Sequence, residues 1–521
     1  MEARRPNVLL VMADQLAASW LPAYGHSVVR APHLSALAGS STVFDGAYCP
    51  SPLCAPSRAG LLTGRLPSGT GVFDNAAELP AAAPTLTHAL RAAGYFTALC
   101  GKMHFVGPDQ LHGFEERLTT DIYPGDLDWT PDWRLGAGEQ LPWYHTMESV
   151  LEPGVCPASM QQDYDDEVAF RAVRVIYDRA RADDGRPFFL VASFANPHDP
   201  WEVRARYWDL YDREAIDPPA VPPLPLDQAD PHSRRLREMC GVDAASPSDE
   251  QVRAARHGYY AAVSYLDERV GELLAALREA GLDDDTIVVF TSDHGEMLGE
   301  RGLWFKMSFF EQSARVPLLV RVPGGSGRRR VAEPVSLLDL APTLLELAGA
   351  PPLGDADGES LAPLMGGAGG RRSKPVVGEY LAEGVNAPAV MVRRGPDKLI
   401  ACPGDPDQLY DLAHDPAELV NLAGSAEHSE VHGELRGEVA RRWDLEELER
   451  RVLASQRDRH FVLRALGAGA FRSWAYEPVP RERYVRGGVD LYELQRRARL
   501  EAPAGGRNAA RGAGTGLGPA G

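Results

Sequence analysis

NVLLVMAD, residues 7–14, is an unbroken apolar run from Val8 to Ala13 that stops at an acidic side chain. Six residues are too few for an ordinary helix, and the run lacks the polar alternation of a half-exposed strand, so it reads as a strand covered on both faces. Three more stretches share the habit: YFTALCGK (95–102), PFFLVASFANPHD (187–199) and TIVVFTSDHG (286–295). Each stops at charged or imidazole side chains. Helical patterns separate them, in APHLSALAGSS (31–41), PTLTHALRAAGY (84–95), YDDEVAFRAVRVIYDRARA (164–182) and RAARHGYYAAVSYLDERVGELLAALREAGL (253–282). Strand alternating with helix implies an α/β fold, a doubly wound, mainly parallel sheet flanked by helices. Such sheets bind ligands beyond the carboxyl ends of their strands. Asp14, Lys102, His104, His198, Asp293 and His294 fall there.

The Gly/Pro-rich stretch 349–375 marks a loop or boundary. Beyond it AVMVRRGPDKLIAC (389–402) has hairpin character, and DPAELVNLAG (415–424) is expected to begin a helix-rich remainder reaching about Leu500. This remainder forms a smaller C-terminal α+β part. The Gly/Ala-rich end is expected to be disordered. The expected divisions are 1–370, 371–500 with a helical oligomerisation arm, and 501–521. No internal repeat is visible.

With 521 residues, 44% of them hydrophobic, the chain is long enough for a large core. Its net charge of −19, from 54 basic and 73 acidic residues, argues against nucleic-acid binding, which needs clustered Lys and Arg. The basic start is followed by an apolar run too short for a signal peptide, and no later stretch approaches a membrane span. Cytoplasm is the expected location. The six cysteines form no CxxC or other regular spacing, so neither a disulfide framework nor a zinc site is indicated.

Cys54, in SPLCAPSRAGLLTGR (51–65), is the exception to be explained. A lone cysteine is usually a small buried hydrophobe. Here Ala55 precedes a proline and should be extended, while Pro56 suits the first turn of a helix running through SRAGLLTG. That places Cys54 at a helix N-terminus with Arg58 one turn away, a position for a nucleophile that attacks an anion. A tyrosine-phosphatase loop would need more residues between cysteine and arginine. A papain-like site would pair the thiol with one histidine, whereas Asp14, Asp293 and His294 look like ligands for a hard metal. Thiolate is a poor partner for such an ion, and oxygen at position 54 would suit it better.

The motif Cys54, Pro56, Ser57, Arg58, Thr63, Gly64 and Arg65 resembles the C-x-P-S-R…T-G-R motif of the type I sulfatases. PNVLLVMAD, GK.H, NPHDP, SDHG, Lys306 and LYDLAHDPAELVNLA follow in the family's order. The resemblance is fullest to the choline-sulfatases, from residue 5 to about 495, and includes MADQL, GKMHFVGPDQLHGFEERLTTDIYP, LGERGLWFKM and EYLAEG. One departure from many arylsulfatases is that Asp14 is followed by Gln15 rather than a second acid, a feature choline-sulfatases share.

The resemblance implies an alkaline-phosphatase-like fold and a formylglycine made from Cys54 by a maturation enzyme. It implies a divalent metal, Ca²⁺ ahead of Mg²⁺ or Mn²⁺, held by Asp14, Asp293, His294 and residue 54. Arg58, Lys102 and Lys306 would neutralise sulfate and nucleophile charge, although lysines are more often solvated surface charges. His198 with Lys306 would help the leaving group depart, and His104 would help residue 54 release sulfate. Tyr123, Trp129, Trp133, Trp143 and Tyr144, in the acidic stretch 121–145, have the composition of a cage for a quaternary ammonium. They could equally pack a long loop. The resemblance favours Trp129, His145 and Glu383 as the cage and Asn75 near the sulfate; Asp490, in YVRGGVDLYEL, is expected to reach a neighbouring subunit of a homo-oligomer, because the C-terminal arm is poorly suited to standing alone. The expected activity is hydrolysis of a sulfate ester, choline sulfate first. A phosphonate monoester or phosphodiester hydrolase is the alternative, and a non-catalytic osmolyte-binding protein a third reading.

Overall fold

The computed structural model describes residues 5–478, apart from 142–143, 326, 367–369, 471–473 and 475. Its central sheet has eight strands among the described residues. Their order is Arg329–Val331, Thr42–Phe44, Leu318–Arg321, Thr286–Ser292, Asn7–Ala13, Phe188–Ser193, Phe96–Gly101 and Glu116–Arg117. The four apolar runs are four adjacent members of this sheet and run parallel. Leu318–Arg321 opposes them. Every residue of the four strands is buried, as a run without polar alternation requires when helices cover both faces.

Two groups of helices flank the sheet. Met160–Arg181 and Asp249–Glu279 pack on each other, the longer one opened by a capping box between Ser248 and Gln251. Cys54–Thr63 packs with Leu86–Ala92 and Leu340–Leu347. The Cys54–Thr63 helix starts earlier than Pro56 suggests: Leu53 is the extended residue (φ −157°, ψ 146°) and Ala55 is helical. Pro56 still falls in the first turn, where its missing N–H leaves no carbonyl without a donor.

The smaller C-terminal sheet is an antiparallel meander of Val376–Tyr380, Ala389–Arg394, Asp397–Ala401 and Gln408–Asp411. The expected hairpin is present, with Gly395 at φ +58° in its turn. This sheet seats against the segment leading to Cys54. Glu379 N–H donates to the Pro50 carbonyl at 2.9 Å, and the Glu379 carboxylate accepts from Ser68 N, Ser68 Oγ and Trp443 Nε1 at 2.6–2.7 Å.

DPAELVNLAG is not a helix. Asp415 Oδ2 accepts from Val420 N, and Asn421 Oδ1 accepts from Leu409 N and Ala423 N, local bonds that compete with helical ones. The helices come later, at Ser429–Arg442 and Leu445–Gly467. Residues 479–521, including the expected tail, lie outside the described residues. Among the described residues no helix is long and apolar enough to cross a membrane.

Candidate active site

The carboxyl ends of the central strands carry the charged groups. Asp14 follows Asn7–Ala13, Asp293 and His294 follow Thr286–Ser292, and the start of the Cys54–Thr63 helix faces them. One ligand atom from each of Asp14, Cys54, Asp293 and His294 lies within 4.8 Å of the others, and all four residues are buried. The helix is held in place by Ser57 Oγ, which donates to the Asp293 carbonyl, and by Arg58 Nε, which donates to Asp293 Oδ2 at 2.8 Å. Lys102 reaches inward to Asp14 Oδ2 at 2.5 Å and to Cys54 Sγ at 3.4 Å. Gly101 makes that path possible. At φ +108° a Cβ there would lie 1.8 Å from the Ser193 carbonyl oxygen.

Burial opposes ionisation of the Cys54 thiol, yet Lys102, Lys306 and His294 together hold it well below its ordinary value. Burial likewise works against Asp14, but Lys102 and Arg58 hold its carboxyl well below the usual carboxylate range. The environment therefore favours a negative charge at position 54. Two carboxylates and an imidazole fit a hard divalent ion, whereas the thiol does not. An oxygen at residue 54 would complete the set with Asp14, Asp293 and His294. Such an ion, when bound, polarises an ester oxygen and favours ionisation of a hydroxyl.

A cavity of about 420 Å³ opens over Cys54 and is lined by Asn75, Lys102, His104, Tyr123, Trp129, Tyr144, His145 and His198. Burial and Lys306 lower the His198 pKa, so its ring is neutral near pH 7. Nδ1 then donates to the Asp199 carbonyl at 2.7 Å and Nε2 accepts from Lys306 Nζ at 3.0 Å, which assigns the tautomer. His104 Nε2 lies 3.2 Å from the Asn75 carbonyl, leaving Nδ1 without a partner among the described residues. Asn75 itself accepts from Ala55 N at 2.9 Å and donates to Tyr144 OH at 2.7 Å. Trp129 meets His104 edge to face and leans on Tyr144, each at 5.5 Å. His145 stacks on Phe305 at 4.9 Å, and burial with the nearby Lys306 holds it neutral.

Several expected residues sit elsewhere. Arg58 is fully buried, with Nη1 on the Lys102 carbonyl and Ser193 Oγ, so it braces the carboxylate cluster and does not line the cavity. Trp133 is a packing residue whose Nε1 donates to the Ala382 carbonyl at 2.7 Å. Glu383 is buried and does not line the cavity, but its charge is felt by Tyr144, and Oε1 has no partner among the described residues. Burial and Asp74 push its carboxyl up to about 8. Trp143 and Asp490 lie outside the described residues.

Sequence reasoning missed the residues that hold the site in shape. Gln15, at φ +67°, accepts from Lys306 Nζ at 2.7 Å and donates to Asp199 and Glu296. Asp121 accepts from the backbone N–H of His104, itself at φ +56°. Asp165, in YDDEVAF, accepts from Ala195 N, Asn196 N and Asn196 Nδ2, fixing the turn that leads to His198. Gln15 stood out only as the residue that replaces a second acid after Asp14, and nothing in the local pattern marked Asp121 or Asp165 as backbone acceptors.

A buried donor set for a divalent ion, two buried lysines and two histidines around one nucleophile position define a hydrolase for esters of a tetrahedral oxyanion. Comparison with known proteins narrows the class. The sulfatase family matches residues 6–350, the N-sulphoglucosamine sulphohydrolase C-terminal family residues 299–444, and the choline sulfatase C-terminal family residues 450–500. The chain belongs to the sulfatase family and is a sulfuric ester hydrolase. Among its relatives is a choline-sulfatase of Rhizobium meliloti (strain 1021), 47% identical over 95% of this chain and 98% of the relative. Arylsulfatase K of Danio rerio is 30% identical over 80% of each chain. The phosphonate monoester hydrolase of Agrobacterium radiobacter has a similar structure, with a TM-score of 0.69 and 27% identity over 85% of this chain and 96% of its own.

Proposed function

We propose that this chain hydrolyses choline sulfate to choline and inorganic sulfate, using a formylglycine made from Cys54. The observation that carries the reading is the shared cavity: Tyr123, Trp129, Tyr144 and His145 line the same space as Cys54 and Lys102. A quaternary ammonium has no N–H to donate, so aromatic faces are its natural wall. The sulfate end needs cations, which Lys102 and Lys306 supply. The 47% identical relative named choline-sulfatase points the same way.

The aldehyde hydrate supplies an oxygen nucleophile in place of a soft sulfur. Lys102 stabilises negative charge at residue 54 and on the sulfuryl oxygens. Lys306 gives a proton from Nζ to the departing choline oxygen, and His198, whose neutral Nε2 accepts from Nζ at 3.0 Å, orients the ammonium for that transfer. His104, with Nδ1 unpartnered among the described residues, takes the proton from residue 54 when sulfate leaves. Asn75 orients the sulfate, and Glu383 answers the choline charge from behind Tyr144. The reading extends to Ca²⁺ as the ion, an oxidising maturation enzyme as partner, and a cytoplasmic homo-oligomer. In that assembly 1–370 is the catalytic part, 371–500 carries the arm, and Asp490 meets a neighbouring subunit's site.

Mass spectrometry of the peptide spanning residue 54, together with sulfate release from choline sulfate before and after chelation, tests the proposal. Aldehyde at residue 54 and activity that chelation abolishes and Ca²⁺ restores are expected. An intact thiol in fully active protein overturns it. The likeness to a phosphonate monoester hydrolase favours one second reading, and faster turnover of a phosphonate monoester than of choline sulfate would establish it.

A further inference from the structure

The aromatic stretch 121–147 has little regular structure of its own, among its described residues only the short 3₁₀ turns Leu127–Trp129 and Ala137–Glu139. Its position must come from what it packs against: Ala137–Glu139 meets the helix Pro231–Met239, and Leu127–Trp129 meets the C-terminal helix Leu445–Gly467. Leu448, Val452 and Gln456 are buried on one helix face, and Arg459 follows at the next turn. Gln456 Oε1 accepts from Trp133 N at 3.1 Å, and His460 Nε2 lies 3.3 Å from the Pro131 carbonyl. Arg459 makes the most demanding contact. Its Nη1 and Nη2 grip the two oxygens of the fully buried Asp74 at 2.6 Å each, and the same Nη1 reaches Thr130 Oγ1 at 3.2 Å.

One guanidinium thus ties together the neighbours of two cavity residues. Asp74 precedes Asn75, which bridges Ala55 and Tyr144. Thr130 follows Trp129, which packs on His104 and Tyr144. We propose that Arg459 is a positioning residue for substrate specificity: through Asp74 and Thr130 it sets the aromatic wall that receives the organic part of the ester, without touching the ester itself. The planar fork matters, because a bidentate grip fixes orientation as well as distance. The inference rests on the choline sulfate reading for the nature of the ligand.

The test compares wild type, Arg459→Gln, Arg459→Lys and Thr130→Val on choline sulfate and 4-nitrophenyl sulfate, with hydrogen exchange read on the same proteins. Arg459→Gln is expected to raise KM for choline sulfate about tenfold, equivalent to about 1.4 kcal/mol. For the aryl ester KM should change less than about twofold, and kcat for both less than about twofold. Arg459→Lys, keeping charge without the fork, should recover part of the loss. Exchange should quicken in 126–131 and stay unchanged in 286–292. An equal KM change for both esters, a fall in kcat alone, or unchanged exchange in 126–131 overturns the proposal. If Arg459→Gln does not fold, Thr130→Val decides, with a choline-selective KM rise of about threefold expected and none overturning it. Wild type that shows no preference for choline sulfate removes the functional reading, and the exchange measurement then decides the clamp alone.

Discussion

The strand-end cluster and the aromatic stretch 121–147 face the same cavity and are built in opposite ways. Asp14, Lys102, Asp293 and His294 each follow a buried parallel strand within one or two residues, so backbone pairing fixes their positions before any side chain bonds. Tyr123, Trp129 and Tyr144 belong to a stretch with little regular structure, and the part around Trp129 is held by a helix more than three hundred residues later in the chain. Chemistry common to a family can rest on the sheet. Choice of substrate rests on a loop that a remote element can re-aim. In the cluster a removed side chain should cost turnover, whereas in the loop it should cost recognition.

The widest separation between the two regions comes from Cys54→Ala, expected to lower kcat by about 10⁴-fold or more for every ester in a steady-state assay. Next is Lys102→Ala, expected to lower kcat about 10²- to 10³-fold. It also removes one partner of the buried Asp14 ion pair, so thermal unfolding should show a loss of roughly 3–5 kcal/mol. Trp129→Ala tests the other side: KM for choline sulfate should rise roughly tenfold, with kcat and the KM of a neutral aryl ester little changed. An equal effect on both esters would erase the distinction between chemistry and recognition.

The smallest effect is a pH dependence. Burial holds the Glu383 carboxyl near 8, so it is largely neutral at pH 7 and becomes negative as pH rises through that value. kcat/KM for choline sulfate should therefore climb at most about tenfold between pH 7 and 9 relative to a neutral ester, and Glu383→Gln should flatten that ratio. A ratio independent of pH in wild type would separate Glu383 from cation recognition.

Four adjacent strands of the central sheet were legible from their unbroken apolar runs, three of them with a charged residue directly after the last strand residue. The common placement of Asp14, Lys102, Asp293 and His294 followed from their positions at strand ends, and the addition of Cys54 to them from the resemblance to the type I sulfatases. Legibility failed where side chains satisfy backbone groups distant in sequence. Gln15 looked like a missing carboxylate and is the hub between Lys306, Asp199 and Glu296. Arg58 is expected to offset charge on sulfate and nucleophile; it holds Asp293 at 2.8 Å, and its charge acts on that of residue 54 from within the core. DPAELVNLAG looked helical, and Asp415 and Asn421 turned it aside.

By itself the sequence determined the parallel α/β sheet, the place of Cys54 at a helix start and the inventory of acids, lysines and histidines, because hydrophobic periodicity and helix-start chemistry are local. Only the tertiary structure decided which of those groups touch. It turned Trp133 into packing and Trp129 into cavity wall, and it set Arg459 on Asp74 across 385 residues. Hydrogen bonds and ion pairs act over about 3 Å in space and take no account of separation along the chain, so no reading of spacing can assign them.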